Sequence, residues 1–557
     1  MPLSPATIAR IFPDHLPTYE EIEERYKKRV LPEGARVTRF APSPTGFLHI
    51  GGVMTALMSE RMAHQSGGVF FLRLEDTDQK REVEGAKDLI LRSLAHFGVL
   101  HDEGPVLGGG EQGSYGPYTQ SERKSIYHAY IKYLLEKGDA YVCFATPEEL
   151  EQNIKNQMTY KEPLGYWGPY AIWREKSEKE VVAQLDAGTA YVIRMRSPGN
   201  KDRKIRIKDM IRGTLEFPEN INDVVIMKGD FLPTYHFAHA VDDHVMGTTH
   251  VVRSDEWIPS LPMHMQLFSI LGFEAPTYCH VAPIQKMEGA SRRKLSKRKD
   301  PEANVEFYQE EGYPARAVIE YVLNLANSKF EDWRRAHPKD PYTQYLFDPK
   351  NVNNSGSLLD FVKLDSVSSN LISRMDTQEV WAELLAWSQA YDHEFYEVLL
   401  THADRAKAFL SIERDTAVPR KDIVKWSHVR GQMEFIFDDW FYSMEIAYAE
   451  QLGQVSKEDA RSVLTMFAQE YSAMWDQETW LTHVKDLAEK IGYAPNPKLL
   501  KEAPEGTYKG HFGSIAMVLR IAITGSTRSP ELSQVMKVLG KEESLKRLER
   551  MMKALER

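Results

Sequence analysis

The sequence predicts an α/β protein, a doubly wound parallel sheet split by an α+β insertion and followed by an all-α half. Three observations predict it. A strand pattern at 37–41 breaks at Pro42 and Pro44, turns at Gly46, and gives way to Met54, Leu57, Met58, Arg61 and Met62 at helical spacing. Apolar runs then alternate with helical patterns up to about residue 141, as in a sheet built from crossover connections. Beyond residue 300 the periodicity is mostly helical.

Composition bounds the function. With 557 residues, the chain has room for roughly three to five domains. Hydrophobic residues at 42% and charged residues at 27% describe an ordinary globular protein rather than a disordered or fibrous one. No apolar run approaches the ~20 residues of a membrane span, and the start lacks a basic-then-apolar signal pattern, so a cytoplasmic protein with no membrane partner is expected. Two cysteines, Cys143 and Cys279, exclude a disulfide framework and a four-thiolate zinc site. The formal net charge of -10 excludes general affinity for nucleic acid and leaves local basic patches for any RNA contact.

Taken in order, residues 1–34 form an N-terminal extension. Its Thr18-Tyr-Glu-Glu21 string is a capping box opening a charged helical run to Arg29, read as a surface helix. Residues 35–147 form the first half of the α/β domain, with a strand at 69–74 and helices at 83–97 and 125–137. Residues 148–230 break the rhythm with Trp, Tyr and short β-prone runs such as 191–195, and read as the insertion. The second half, 231–300, returns to strand and helix logic at 234–244 and 250–253, with a helix carrying Met263, Leu267 and Ile270. A Lys/Arg-rich loop at 291–300 closes it. The rest divides at 301–375 and 376–557, with helices patterned at 380–387, 459–474 and 478–491. Near the end, Ser529 offers an N-cap, Pro530 a first-turn proline, and Gly540 a stop.

Four stretches carry chemistry. His49-Ile-Gly-Gly52 sits where a helix begins, with unpaired N–H groups and two glycines that let a phosphate approach; alone, such a string more often marks a capping or packed histidine, and the preceding proline turn, strand and following helix are what favour the phosphate. Arg73-Leu-Glu-Asp-Thr-Asp78 puts carboxylates at the end of a strand, where open α/β sheets bind ligands; an N-cap cluster on a solvated loop fits the same string. Lys294-Leu-Ser-Lys-Arg298 places cations that can offset charge on departing pyrophosphate, though a charge run alone also describes a solvated face. The segment 235–257, with Asp242, Asp243, His244, Arg253, Asp255, Glu256 and Trp257, lacks a distinctive metal-ligand spacing and reads as a hydrogen-bonded pocket wall.

Together, in this order, these stretches resemble bacterial-type glutamyl-tRNA synthetases, class I aminoacyl-tRNA synthetases. Arg39-Phe-Ala-Pro-Ser-Pro-Thr-Gly-Phe-Leu-His-Ile-Gly-Gly52 is similar to the family's HIGH motif and Lys294-Leu-Ser-Lys-Arg298 to its KMSKS motif. Tyr118-Thr-Gln-Ser-Glu-Arg123 and Val252-Arg-Ser-Asp-Glu-Trp257 also match. The resemblance spans about 36–365 and returns near Ala522-Ile-Thr-Gly-Ser526.

The resemblance implies a Rossmann-like catalytic domain, an acceptor-stem-binding insertion, a stem-contact region at 301–375 and a helical anticodon-binding region. It implies ATP-dependent formation of glutamyl-adenylate, with Mg²⁺ carried by ATP, and transfer to tRNA(Glu), with tRNA(Gln) as a possible second acceptor. His49, Lys294 and Lys297 are then catalytic. Thr45, Gly46, His49, Gly51, Gly52, Lys294, Leu295, Ser296 and Lys297 bind ATP. Arg39, Ser43, Glu75, Tyr235, His239 and Arg253 bind glutamate, arginine suiting carboxylates and Glu75 the ammonium. The chain departs from the family at His239, where asparagine is common. Cys143 has no nearby cysteine partner, so the zinc knuckle of some members is not expected; a monomer is. The basic run Arg194, Arg196, Lys201, Arg203, Lys204, Arg206 and Lys208 fits either stem phosphates or an ordinary exposed hairpin. Glu75-Asp-Thr-Asp78 and Gly52 favour the glutamyl over the glutaminyl branch, and the length and loop lysines disfavour a shortened or catalytically dead paralogue.

Overall fold

The computed structural model describes residues 2–12 and 15–556; Met1, Pro13 and Asp14 of the extension and Arg557 of the helical region lie outside the described residues. The chain forms two compact units, Met1–Phe307 with Ile319–Asp360, and Tyr308–Val318 with Phe361–Arg557.

The first unit opens with α1 (Pro5–Ile11) and α2 (Tyr19–Arg25). The capping box of α2 forms in full, Thr18 accepting from the Glu21 N–H while the Glu21 carboxylate accepts from Thr18. The extension is more than a surface helix. Ile8, Phe12, Ile22 and Tyr26 are buried in one core with Tyr127, Tyr130 and Leu134, each apolar side chain contributing roughly 1.5–3 kcal/mol. The helical run ends before Arg29, which leaves it to grip both oxygens of Glu103 at 2.7 Å.

β1 (Val37–Phe40) is buried along its length, as a strand covered on both faces must be. α3 (Ile50–His64) crosses over, and β2 (Val69–Leu72) pairs in parallel with β1, Val37 opposite Val69 and Phe40 opposite Leu72. α4 (Ala86–His96) and a short hairpin, β3 (Gly104–Pro105) with β4 (Glu111–Gln112), precede α5 (Lys124–Lys137). Next come β5 (Ala140–Cys143), α6 (Pro147–Tyr160), α7 (Glu178–Asp186), β6 (Val192–Met195), β7 (Lys204–Asp209), β8 (Gly213–Pro218) and β9 (Val225–Met227). The second half supplies α8 (Tyr235–Val245), β10 (His250–Ser254), α9 (Leu261–Leu271), β11 (Thr277–Val281), and the hairpin β12 (Gln285–Glu288) with β13 (Ser291–Lys294).

β10 and β11 are parallel, with α9 as their crossover. The two parallel pairs meet where Thr249 N–H donates to the Val37 carbonyl at 2.9 Å. The segment expected as one insertion is divided between two sheets. β6 and β9 build an antiparallel sheet with β5, which precedes the expected boundary at 148. The β7–β8 hairpin instead joins the edge of β11, Asp209 opposite Tyr278.

The second unit is helical, with one core running from Ile372 to Leu555. Its chain limits, 308–318 and 361 onward, differ from the expected breaks at 301 and 376. The helix Leu532–Leu539 is capped by Glu531, whose carboxylate accepts from the Ser533 and Gln534 N–H groups, and not by Ser529. Ser529 is engaged with Arg520 Nε at 3.1 Å. Gly540 ends the helix at φ 83°, as its position predicts.

Candidate active site

A cleft of about 980 Å³ opens at the carboxyl ends of β1, β2, β10 and β11, where open α/β sheets bind ligands. The chain leaving β1 shapes its floor. Pro42 and Pro44 stop the strand, and their carbonyls accept from Glu75 and Val83 N–H at 3.0 Å, which fixes the acidic stretch beside the proline turn.

His49 is the N-cap of α3, its Nδ1 accepting from Gly51 N–H at 2.9 Å. The capping reading and the ligand-site reading therefore describe one residue, because His49 also lines the cleft. Burial is the main cause lowering its pKa to about 4, and Lys297 and Lys294 add to it against a hydrogen bond with the Leu295 backbone. The ring is neutral near pH 7, with its proton on Nε2. The glycines admit the protein's own groups: a Cβ on Gly51 would lie 3.1 Å from His49 Nδ1, and one on Gly52 3.1 Å from Leu48 Cδ1.

The basic loop reaches the same cleft with Lys294, Leu295, Ser296 and Lys297. It is held by Asp300, which takes Arg293 through both oxygens at 2.6 and 2.7 Å and accepts from Ser296 N–H at 2.8 Å. Lys294 pairs with Glu256, and Lys297 Nζ donates to the Phe47 carbonyl at 3.0 Å, its pKa lowered by burial.

Arg39, Ser43, Glu75, Tyr235 and Arg253 line the other part of the cleft. Beneath them lies a charge network that anchors the wall. Arg73 donates to Asp243 at 2.8 Å and to Glu75 at 2.9 Å, and Arg39 Nε to Asp243 at 3.3 Å. Asp242 accepts from Gln120, Arg123 and Tyr127 at 2.6–2.8 Å. The Tyr118-to-Arg123 motif thus supports the wall, and Ser121 binds Asp76. Burial raises the Glu75 pKa against the pull of Arg73 and Arg39. For Asp243, burial acts upward but Arg39 and Arg73 prevail and hold it well below the carboxylate range. Four buried arginines, Arg39, Arg73, Arg123 and Arg253, share this region with four buried carboxylates, Glu75, Asp76, Asp242 and Asp243. Tyr235 packs on Trp257 with ring centroids 4.4 Å apart, and burial pushes its hydroxyl up to about 12.

Two expected residues lie outside the lining. Gly46 supplies the turn at φ 116° but does not face the cleft. His239 is fully buried behind Tyr235, stacked on it at 5.9 Å, with Nε2 3.0 Å from the Tyr278 hydroxyl and Nδ1 3.0 Å from Asp243 Oδ2. An imidazole there fills the wall instead of reaching a ligand. Sequence reasoning missed Arg73 as a site residue, and with it Asp209, His264 and His280, because strands and an apolar helix present them as core positions.

Residues 36–346 match the family of tRNA synthetases class I (E and Q), catalytic domain, and residues 507–552 the anticodon binding domain. A glutamate–tRNA ligase of Clostridium perfringens (strain 13 / Type A) is 46% identical over 532 residues, 96% of this chain and 97% of that one. One from Sorangium cellulosum (strain So ce56) is 42% identical over 548 residues, 94% of this chain and 95% of its own. Among solved structures, a glutamate tRNA ligase from Elizabethkingia meningosepticum CCUG26117 in complex with its amino acid superposes with a TM-score of 0.74 at 30% identity, covering 93% of this chain and 99% of that one. With the parallel-strand cleft, the HIGH-like helix start and the basic loop on one molecule, the chain belongs to the glutamate–tRNA ligase family of class I tRNA synthetases.

Proposed function

We propose that this chain activates L-glutamate with ATP and transfers it to the 3′ end of tRNA(Glu). The observation that carries the reading is the convergence of His49, Lys294 and Lys297 with Arg39, Glu75, Tyr235 and Arg253 on one cleft. In the first step a glutamate α-carboxylate oxygen attacks the α-phosphorus of ATP. The bond to the bridging oxygen of the β-phosphate breaks, and pyrophosphate leaves with the electron pair. In the second, a terminal ribose hydroxyl of the tRNA attacks the acyl carbon, and AMP departs. No covalent enzyme intermediate is required.

The residues divide by chemistry. His49 Nε2–H and the Lys294 and Lys297 ammonium groups supply donors and positive charge where pyrophosphate develops. Thr45, Gly51, Gly52, Leu295 and Ser296 border that part, and Gly46 acts through the turn. Arg253 and Arg39 suit the substrate carboxylates, Glu75 the ammonium, with Ser43 and Tyr235 beside them. His239 acts behind Tyr235, not on the ligand. Mg²⁺ neutralises phosphate charge when it accompanies ATP. An ion that accompanies ATP would be held largely by its phosphates and by water.

We also read the insertion as independent of structural zinc, since Cys143 is buried against the Tyr166 hydroxyl and Cys279 belongs to another sheet. The β7–β8 hairpin, whose Lys204 and Arg206 are both paired with Glu216, offers cations that stem phosphates would have to draw from that carboxylate. A cytoplasmic monomer fits this chemistry, and no described helix is long and apolar enough to cross a membrane. The test is aminoacylation of purified tRNA(Glu) and tRNA(Gln) with glutamate and with glutamine. Charging of tRNA(Glu) with glutamate supports the reading, and charging of tRNA(Gln) as well adds that acceptor. Failure to attach glutamate to either refutes it.

A further inference from the structure

Arg253 reaches the cleft from the end of β10, and its own surroundings are unusual. It is 6% exposed, yet among the described residues it hydrogen-bonds to two imidazoles and to no carboxylate. Its Nε donates to His280 Nε2 at 3.0 Å and its Nη2 to His264 Nδ1 at 3.2 Å, while Nη1 is buried with no hydrogen-bond partner in the unliganded protein. Two imidazole lone pairs thus orient the guanidinium and leave one edge free.

Those lone pairs are available only in particular tautomers, and the groups around each ring select them. On one side, His280 Nδ1 lies 2.7 Å from Asp209 Oδ2, so that nitrogen carries the proton and Nε2 is bare. On the other, His264 Nδ1 faces a guanidinium that can only donate, so it is bare, the proton sits on Nε2, and Nε2 donates to His236 Nδ1 at 2.9 Å. Protonating either ring would turn an N–H against the guanidinium. Burial first, with Arg253 itself contributing, lowers the pKa of both imidazoles, which agrees with neutral rings. Asp209 is fixed in turn, accepting from the Ile211 and Arg212 N–H groups at 2.8 Å.

We infer that His264 and His280 are positioning residues for the glutamate-binding arginine, His280 set in its accepting tautomer by Asp209 and His264 passing its own proton toward His236, so that Arg253 Nη1 stays free for a substrate carboxylate. Neutral acceptors suit this task. A carboxylate partner would compete with the substrate for the guanidinium charge, whereas an imidazole lone pair fixes orientation and leaves that charge uncompensated. This rests on the assignment of Arg253 to glutamate.

The test pairs variants that remove an acceptor with variants that restore it. His280→Leu and His264→Leu should each raise the KM for glutamate about tenfold, as expected for a buried donor left unpaired, with the KM for ATP unchanged. His280→Gln places an oxygen near the former Nε2, and His264→Asn one near the former Nδ1; both should recover most of the loss. Equal defects in the Leu and amide variants, or an ATP KM that rises in step, would overturn the proposal. Imidazole ¹⁵N spectra of the unsubstituted protein near pH 7.5 decide the tautomers without any activity; this covers a leucine variant that fails to fold and a chain that proves to activate another amino acid. His280 protonated at Nδ1 alone and His264 at Nε2 alone support the relay. The opposite tautomer or an imidazolium at either position refutes it, whatever the fate of the glutamate assignment.

Discussion

At the residue scale, the residues the motifs named lie on the cleft lining where the side chain belongs to the motif's own loop. Arg39, Ser43, Thr45, His49, Glu75, Arg253, Lys294 and Lys297 all line it. His239 does not, because helical spacing from Tyr235 turns it one turn deeper, onto Asp243. Arg73 and the buried aspartates were legible only as strings; their joint network needs the strands in register. Two predictions belong here. Replacing Lys297 with alanine removes a partly desolvated cation from the phosphate end and should slow adenylate formation about 100-fold while leaving tRNA affinity nearly intact; equal loss of both would refute its role. The second concerns pH. His239 is held near 4 when folded, chiefly by burial, against about 6.5 in an unfolded chain. A depressed folded pKa gives stability that is full above about pH 6.5 and is lost as pH falls toward 4, up to about 3 kcal/mol for this ring. His64, held near 9 by Asp102 and Glu60, has the opposite sign and loses its contribution as pH rises through 9. The melting temperature should therefore drop between about pH 6.5 and 4, less steeply in His239→Asn. A wild-type slope no steeper than the variant's would contradict the assignment.

At the scale of elements, strand and helix periods were reliable guides and ends were less so. The helix expected over 83–97 begins at Ala86, after Gly85 in the left-handed region, and the terminal cap falls on Glu531 because its carboxylate reaches two N–H groups. Neither choice is visible in a hydrophobic period. The extension was underestimated for a related reason: Ile8, Phe12 and Ile22 are too sparse to advertise a buried face until α5 is beside them. The basic loop illustrates what a charge run conceals. Asp300, at its end, gathers Arg293 and the Ser296 N–H, so the loop is braced while Lys294 and Lys297 remain in the cleft. Asp300→Ala should lower the adenylation rate about tenfold, with faster tryptic cutting within 291–299. An unchanged rate with accelerated cutting would show that bracing is not needed for catalysis.

At the scale of the whole molecule, the α/β class, the split catalytic domain and the helical half were legible because each has its own period, 2.0 or 3.6, over many residues. The assignment of β7 and β8 to the edge of β11 was not, since a hairpin's sequence pattern does not say which sheet it joins. That placement matters for function, as Asp209 arrives beside His280 only through it. The central claim is that one cleft discriminates glutamate while holding ATP. It is tested most directly by ATP–pyrophosphate exchange with purified protein and tRNA(Glu), titrated with glutamate and glutamine in parallel. Exchange that depends on glutamate and favours it over glutamine at least about 100-fold in kcat/KM is the predicted result, because a neutral amide cannot form the charge-assisted pair that a carboxylate forms with a buried guanidinium. Exchange that responds equally to both amino acids, or to neither, would contradict the account.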